Sequence, residues 1–319
     1  AAVEAELTSL MLILHATVRL ASRAESHGLT IRADLRRCRG QDCRRCRSRR
    51  GFISFRSMDE VNEPAVGAHP VTRWMVGVDG SHDAAAALRW AVSMAADTGA
   101  DVVPVCAWHV PLPIFALAGR RSVDVDRMGL QATAEVAANE TIELVGAGAA
   151  VDELLVVEGH PSAALLGLTG PGQAVVVGRR GISEMRHRIL GSVSRDLATH
   201  ASGPVVIVPD EYEPTACRRI VVGFDGSEHA QAALAWANAN APAGATVTAL
   251  IAIDVIPWLQ PELVVERHPE YVEAAETRIR AAADAVDPEG RAERSVVLHG
   301  PRQALTDAMS EADLIVLGP

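Results

Sequence analysis

The sequence predicts an α/β protein built from two doubly wound parallel sheets in tandem, of which the second copy is incomplete. From Arg73 onward, short β-rich runs alternate with helical patterns, which is typical of a parallel sheet with helices on both faces. The strand runs are apolar without alternation, as expected of strands buried on both faces. The segment VGVDGS at residues 76–81 returns as VGFDGS at residues 222–227, so the chain contains an internal duplication.

The first copy contains five candidate strands and four candidate helices, each bounded by turn residues. We expect strands at residues 74–78, 102–108, 153–157, 174–177 and 205–208. We expect helices at residues 83–96, 126–145, 162–168 and 192–201. The strands and helices alternate along the chain, as βαβ units require.

The second copy repeats the landmarks of the first in the same order. Trp90 and Trp236 share the 146-residue offset, and the apolar run that ends at Gly178 returns in a run that ends at Gly318. After Gly178 the first copy continues for 31 residues, whereas only Pro319 follows Gly318. We therefore expect the second copy to lack the phosphate loop, the last helix and the fifth strand.

These landmarks divide the chain into five segments. We expect an Arg-rich arm at residues 1–57, a lead-in at 58–71, a complete domain at 72–211, a linker at 212–217 and a second domain, truncated after its fourth strand, at 218–319. The arm contains 12 Arg and 5 acidic residues and has no periodic apolar face. We expect it to be disordered or not to be native coding sequence, and to contribute nothing to the fold.

Three cysteines of the arm, Cys38, Cys43 and Cys46, have the spacing of three ligands of an iron–sulfur loop. A fourth ligand would have to come from Cys106 or Cys217, which lie in or beside the predicted domains. No sheet pattern surrounds the arm cysteines to fold such a loop. We therefore interpret the spacing as accidental and expect no metal site.

Composition and charge exclude several classes of function. The net charge is −10, and all 30 basic residues are Arg, so a Walker-type phosphate loop, which needs a lysine, is excluded. The acidic body is a poor match for nucleic acid. No apolar run approaches the ~20 residues that cross a bilayer, so we expect a cytoplasmic protein without membrane contact. The motifs GxSxG, HExxH and GxGxxG are absent.

The most informative motif is a glycine-rich loop that follows the fourth predicted strand. Gly178 and Gly181 allow the backbone to come close to a ligand, and Gly191 and Ser192 open a helix whose free N–H groups favour an anion. Ser192 and Ser194 add hydroxyl donors. Alternatively, the glycines only form turns and Ser192 only caps the helix.

Four arginines flank this loop, and we expect them to supply the positive charge that a Walker lysine would otherwise give. They are Arg179, Arg180, Arg186 and Arg188. A further candidate, Asp79, follows the first strand at the edge where open parallel sheets bind ligands. Its carboxylate is suited to ribose hydroxyls or an adenine amine, but an Asp-Gly turn is the structural alternative.

The order of these motifs resembles the universal stress protein family, in its ATP-binding branch, and the duplication resembles its tandem members. The likeness covers residues 72–209 fully and 218–319 up to the fourth strand. The resemblance implies that the loop binds the phosphates of ATP and that the first two strands line the base and ribose. The implied cofactor-binding residues are Gly77, Val78, Asp79, Ala107, Gly178, Gly181, Gly191, Ser192, Val193 and Ser194. The chain departs from the family at residues 182–184.

We therefore expect sheets of strand order 3-2-1-4-5 and an ATP-binding stress-response or signalling module, with or without magnesium, that has no dedicated catalytic activity. The resemblance also implies self-association through the fifth strand of the first domain. Two alternatives remain: a slow adenine-nucleotide hydrolase and an assembly module that binds no nucleotide. The expected partners are thus an adenine nucleotide and a second copy of the chain.

Overall fold

The computed structural model describes residues 69–110, 126–181, 190–253 and 269–318. The predicted arm at residues 1–57, its cysteine cluster and the loop residues 182–189 lie outside this part of the chain. Two parallel sheets are described, one for each copy of the duplication. We call residues 69–210 the first repeat and residues 217–318 the second repeat.

The first repeat alternates strands and helices as the sequence predicts. Its strands are β1 (Arg73–Gly77), β2 (Asp101–Trp108), β3 (Leu155–Glu158), β4 (Gln173–Gly178) and β5 (Val205–Val208). Its helices are α1 (His82–Thr98), α2 (Arg127–Val145), α3 (Pro161–Leu166) and α4 (Ser192–His200). β3 begins two residues later than predicted, because its pairing with β2 starts only where Leu155 meets Val105.

The first sheet has the order β3-β2-β1-β4-β5, and all of its pairings are parallel, which confirms the predicted topology. β1 is central: Trp74 pairs with Val102 of β2 on one side and with Ala174 of β4 on the other. The buried run of β1 and the four consecutive valine and alanine positions of β4 explain this place in the sheet, since only apolar side chains suit two covered faces.

The second repeat has four described strands in the order β8-β7-β6-β9. These are β6 (Arg219–Gly223), β7 (Thr246–Ala252), β8 (Glu293–Val297) and β9 (Leu314–Val316). The helices are α5 (Glu228–Asn240), α6 (Pro269–Val286) and α7 (Pro301–Ala308). The order is that of the first sheet without a fifth strand among the described residues.

The first helix of each repeat begins at an equivalent serine. The side chain of Ser81 accepts a hydrogen bond from Ala84 N at the start of α1, and the side chain of Ser227 accepts one from Ala230 N at the start of α5. Such caps satisfy a backbone donor that the first helical turn leaves free. The helix start is therefore fixed locally by the DGS sequence in both repeats.

The two repeats share one apolar core. Val71, which precedes β1, donates its N–H to Oδ1 of Asn240 on α5, over 2.6 Å. The equivalent residue of the second repeat, 146 positions later, is Cys217, which is buried in the same core as Met94 of α1. The segment that enters each repeat therefore lies against the first helix of the other.

No helix in the described part of the chain is both long enough and apolar enough to cross a membrane.

Candidate functional site

The site predicted from the sequence lies at the carboxyl ends of β1 and β4. These strands are neighbours, but the chain leaves β1 toward β2 and returns to β4 on the opposite side. The loops that follow β1 and β4 consequently diverge to opposite faces of the sheet and leave a crevice between them. Open parallel sheets bind their ligands at such a switch point.

Asp79 forms one wall of this crevice. Its Oδ1 atom accepts hydrogen bonds from Ser81 N, at 3.0 Å, and from Ser81 Oγ, at 2.6 Å. Gly80 between them has φ of 87°, a conformation that favours glycine. The Asp-Gly turn proposed as a structural alternative is therefore present, but it engages only one of the two carboxylate oxygens.

The second oxygen of Asp79 faces Gly181 on the opposite wall. A Cβ atom placed on Gly181 would lie 2.7 Å from Asp79 Oδ2, closer than side chains normally approach. A side chain at residue 181 would consequently displace the carboxylate. Asp79 and the glycine loop, which are about 100 positions apart in sequence, thus meet across the crevice.

Gly178 brings β4 against the start of α1. A Cβ atom at this position would lie 2.5 Å from the backbone carbon and oxygen of Asp83, which cannot move without shifting the helix. At the end of β1, a Cβ atom on Gly77 would lie 3.2 Å from Leu165 and Val177 side chains. Gly178 is therefore required by close packing beside the crevice, whereas a side chain at residue 77 would need Leu165 and Val177 to shift slightly.

Val78 and Ala107 lie on the side of the crevice toward β2. Val78 is buried, and its N–H donates to the Val105 carbonyl at 2.9 Å, which extends the pairing of β1 with β2. Ala107 is half-buried and follows Val105 by two residues, in register with Val157 of β3. These two residues form an apolar flank beside Asp79.

The amino end of α4 closes the other side of the crevice. Gly191 is the residue before the helix, and as a glycine it has no side chain to cap the helix. Ser192 is exposed and Val193 is half-buried. The first N–H groups of a helix have no partner within it, so this end of α4 offers backbone donors to an anion.

Ser194 has a different role from the one expected. It is buried, and its hydroxyl donates to the Arg179 carbonyl at 2.8 Å, while Gly191 N donates to the same carbonyl at 2.9 Å. These two bonds fasten the start of α4 to the residue that follows β4. The Ser194 hydroxyl proton is thus already used inside the loop.

The two arginines next to Gly178 are both paired with carboxylates, which differs from the expectation that they offer charge to a ligand. Arg179 forms an ion pair of 2.6 Å with Oδ1 of Asp210. Arg180 donates to Oδ2 of the same aspartate, and its backbone N–H donates to Asp83 Oδ2 at 2.8 Å. The Nε atom of Arg180 also lies 3.7 Å from that Asp83 oxygen.

Asp210 remains ionised in this arrangement. Partial burial would raise the pKa of the Asp210 carboxyl. The charges of Arg179 and Arg180, together with hydrogen bonds from the Asp210 backbone and from Arg180, outweigh burial and hold the pKa below its ordinary value. The carboxylate therefore keeps both arginines paired across the neutral pH range.

Sequence reasoning missed Asp83 and Asp210. Asp83 occupies the first turn of α1, where acidic residues are common for reasons of helix stability alone. Asp210 follows β5 in a polar stretch with no motif. Neither residue carries a sequence signal that could have indicated a contact with the glycine loop.

Cys106 lies near the site on β2. It is buried, and its Sγ atom lies 3.4 Å from the Ala134 carbonyl of α2. Burial, with smaller contributions from Glu135 and Asp79, raises the pKa of the Cys106 thiol to about 11. A thiol with this pKa stays protonated at neutral pH and is not a nucleophile. Among the described residues, no group of three or more His, Cys, Asp or Glu side chains is arranged to hold a metal ion.

Comparisons with known proteins agree with the architecture. The model of the universal stress protein family matches residues 71–209 and 216–319. A universal stress protein of Mycolicibacterium smegmatis is 26% identical over 261 residues, covering 76% of this chain and 85% of the relative. A universal stress protein of Mycobacterium tuberculosis is 32% identical over 170 residues, covering 48% of this chain and 53% of the relative.

The fold is also found among solved structures. The structure of a universal stress protein from Archaeoglobus fulgidus superposes with a TM-score of 0.56 at 17% identity, covering 76% of this chain and 85% of that one. At this identity the similarity concerns the fold. Together with two matches to the family model along one chain, it establishes that the chain belongs to the universal stress protein family, as a member with tandem domains.

Proposed function

We propose that the chain is a nucleotide-dependent stress-response module whose first repeat binds one ATP, with or without Mg²⁺, in the crevice between β1 and β4. One observation carries this proposal: Asp79 Oδ2, which accepts no hydrogen bond from a described residue, faces Gly181, and the amino end of α4 lies beside the same loop. A carboxylate acceptor and a set of backbone donors are the two groups that a ribose and a phosphate chain need.

The residues present fit such a ligand. Gly77, Val78 and Ala107 provide an apolar flank for the base, and Asp79 Oδ2 is available to ribose hydroxyls. The phosphates would be held by backbone N–H groups of the loop and of the first turn of α4. These come from Gly178, Gly181, Ser192, Val193 and Ser194. The N–H of Gly191 donates to the Arg179 carbonyl, so Gly191 would shape the loop around the phosphates. Ser194 would contribute its N–H only, since its hydroxyl donates to Arg179.

Adenine-nucleotide hydrolysis is the enzymatic alternative. An efficient hydrolase needs a base placed to activate water. The Asp79 oxygen that accepts from Ser81 is already engaged, and Cys106 is protonated and buried. These features favour a binding function over rapid turnover. If the chain forms ADP over many turnovers, at a rate above that of ATP dissociation, the hydrolase is supported instead.

Isothermal titration calorimetry of the 319-residue chain with ATP tests the proposal. We expect one site per chain and, in the Gly191→Val variant, a loss of affinity of about 100-fold or more. A Cβ atom at residue 191 would lie 3.3 Å from Arg180 Cα and 3.4 Å from the Arg179 carbonyl, so a valine would push the loop and its amide donors away from a phosphate. Repeating the titration with EDTA and with added Mg²⁺ measures the contribution of the cation. Unchanged affinity in a folded Gly191→Val variant, judged by its melting curve, would refute the proposal.

A second candidate function is self-association through β5. This strand pairs with β4 only, and no described strand lies along its other side. Because Pro204 and Val208 direct their carbonyls toward β4, the intervening Val205 and Ile207 direct their backbone groups outward. An unpaired apolar edge of this kind recruits another strand.

Light scattering after gel filtration tests self-association. We expect a dimer or larger species from the chain, and a shift toward monomer in the Ile207→Pro variant, which removes an outward N–H donor without removing a bond to β4. A monodisperse monomer of the unaltered chain over a range of concentrations would refute this second candidate.

A further inference from the structure

Among the described residues, the two arginines next to Gly178 add no surplus charge to the loop that would bind the phosphates. Arg179 and Arg180 contribute two positive charges, and their partners Asp83 and Asp210 contribute two negative charges. All four side chains are largely buried: their exposed fractions lie between 12% and 28%, so water screens them less than it screens surface pairs. In the described part of the loop, the attraction for an anion therefore comes from backbone dipoles.

Asp83 and Asp210 bind different groups of the loop. Asp83 accepts from the backbone N–H of Arg180 at 2.8 Å, so it fixes the path of the chain after Gly178. Among the described residues, the side chain of Asp210 contacts the two guanidinium groups, one with each of its oxygens, and its own backbone N–H. Removing the charge of Asp210 would consequently free positive charge at the loop and leave the backbone bond of Arg180 in place.

We propose that Asp210 is a specificity-determining residue that sets how strongly the site discriminates among nucleotides by their number of phosphates. This inference rests on the proposed function. With Asp210 ionised, Arg179 and Arg180 are neutralised by their carboxylate partners and add little to the attraction for each additional phosphate charge. Without it, the arginines carry one net positive charge more, and a ligand with more negative charge gains more from that change.

The variant Asp210→Asn, which keeps the size of the side chain, tests the inference by titration with AMP, ADP and ATP. At low salt we expect affinity to rise about tenfold for ATP and about threefold for AMP, because the gain scales with ligand charge. At about 300 mM salt the difference between the ligands should shrink, since screening weakens charge–charge attraction. A purely structural role of Asp210 would change all three affinities alike and independently of salt.

Two controls isolate the position and the charge. Asp152→Asn removes the same charge from an exposed aspartate at the opposite edge of the sheet, next to the start of β2, and should leave the ratio of ATP to AMP affinity unchanged. Asp210→Glu keeps the charge and should retain most of the original ratio. Melting curves of each variant confirm that it is folded.

The outcomes separate this inference from the proposed function. If the unaltered chain binds ATP and Asp210→Asn weakens ATP binding, or alters AMP and ATP binding equally, the inference is wrong and the proposed function stands. If neither the unaltered chain nor the variant binds any of the three nucleotides, both are wrong. A selective, salt-sensitive gain for ATP supports both.

Discussion

The two repeats contain the same turn, but only the first has a described glycine loop and helix opposite it. Asp225 Oδ1 accepts from Ser227 N at 2.9 Å, just as Asp79 Oδ1 accepts from Ser81 N at 3.0 Å. The residue between them has a positive φ in both repeats. The primary role of the DGS motif, in both repeats, is therefore to form the turn between a strand and the following helix. A ligand role for Asp79 must come from what faces it.

The close approach of strand and helix is also common to both repeats. A Cβ atom on Gly318 would lie 2.5 Å from the backbone of His229, as one on Gly178 would from the backbone of Asp83. The residue on the helix differs, however: Asp83 bonds to Arg180 in the first repeat, whereas the second repeat has His229 at the same place. The glycines that pack against the first helix thus occur in both repeats, whereas the carboxylate that binds the loop backbone occurs in the first repeat alone.

The aromatic residues that the two repeats contribute to the core differ as well. The ring centroids of Trp74 and Trp90 lie 5.2 Å apart with edge-to-face geometry in the first repeat. Ile220 replaces the strand tryptophan in the second repeat, where Trp236 remains on the helix. An aromatic pair of this geometry adds to the free energy of burial. The first repeat thus has the more aromatic centre beneath its crevice.

The largest expected effect concerns Gly178 and Gly318, the two glycines that pack against a helix backbone. Gly178→Val should lower the free energy of unfolding by about 3 kcal/mol or more, because the added side chain collides with the α1 backbone. Gly318→Val should have a smaller effect, since Gly318 is half-buried whereas Gly178 is buried. Urea unfolding of both variants measures the difference. If Gly318→Val lowers the free energy of unfolding as much as Gly178→Val or more, burial does not explain the difference between the two positions.

The contact between the repeats provides a second, smaller effect. Asn240→Ala leaves the Val71 N–H without its acceptor and should cost about 1–3 kcal/mol. Asn238, two residues earlier on the same helix, has buried amide atoms without a hydrogen-bond partner among the described residues. Asn238→Ala should therefore be neutral or stabilising. Chemical unfolding measures both, and similar losses in the two variants would contradict the assigned role of Asn240.

The third expected effect is a pH dependence that both repeats share. Burial, the largest cause, raises the pKa of Cys106 and of Cys217 from 9.0 to about 11. The unfolded chain therefore loses these protons at lower pH than the folded chain does. The contribution of the two thiols to the free energy of unfolding is therefore complete below pH 9 and is lost as the pH rises from 9 toward 11.

Unfolding experiments at several pH values check this decline. Replacing either cysteine by alanine should flatten the decline by a similar amount, so the effect is not specific to one repeat. A part of the decline should persist in the double variant, because burial also raises the pKa of Tyr212. An unchanged slope in the double variant would contradict the burial of the thiols.

The fold was largely predictable because its signals are local. Apolar runs of four to six residues identify buried strands, DGS identifies the helix starts, and the repeat offset relates the two sheets. The order of the first sheet follows from right-handed crossovers once the strands are known. The predicted bounds of β3 were less accurate, since its ends are exposed, its two central residues are only half-buried and its extent is set by pairing with β2.

The candidate site was predictable only in part. The glycines and Asp79 stand out in the sequence, but the pairing of Arg180 with Asp83 and Asp210 joins residues that are 97 and 30 positions apart. Arginine next to a glycine loop predicts free positive charge, and nothing local reveals that two distant carboxylates neutralise it. The hydroxyl of Ser194 is a similar case, because its acceptor is the Arg179 carbonyl.

Calorimetric titration of Asp79→Asn and of Asp225→Asn with ATP tests most directly whether only the first repeat binds the nucleotide. Both variants keep an oxygen that can accept from the serine N–H, so both should remain folded with little change in stability. We expect Asp79→Asn to weaken ATP binding about tenfold or more, since the lost carboxylate oxygen faces the glycine loop, and Asp225→Asn to leave it unchanged. Equal effects of the two substitutions, or two equivalent ATP sites per chain, would contradict the claim that only the first repeat binds the nucleotide.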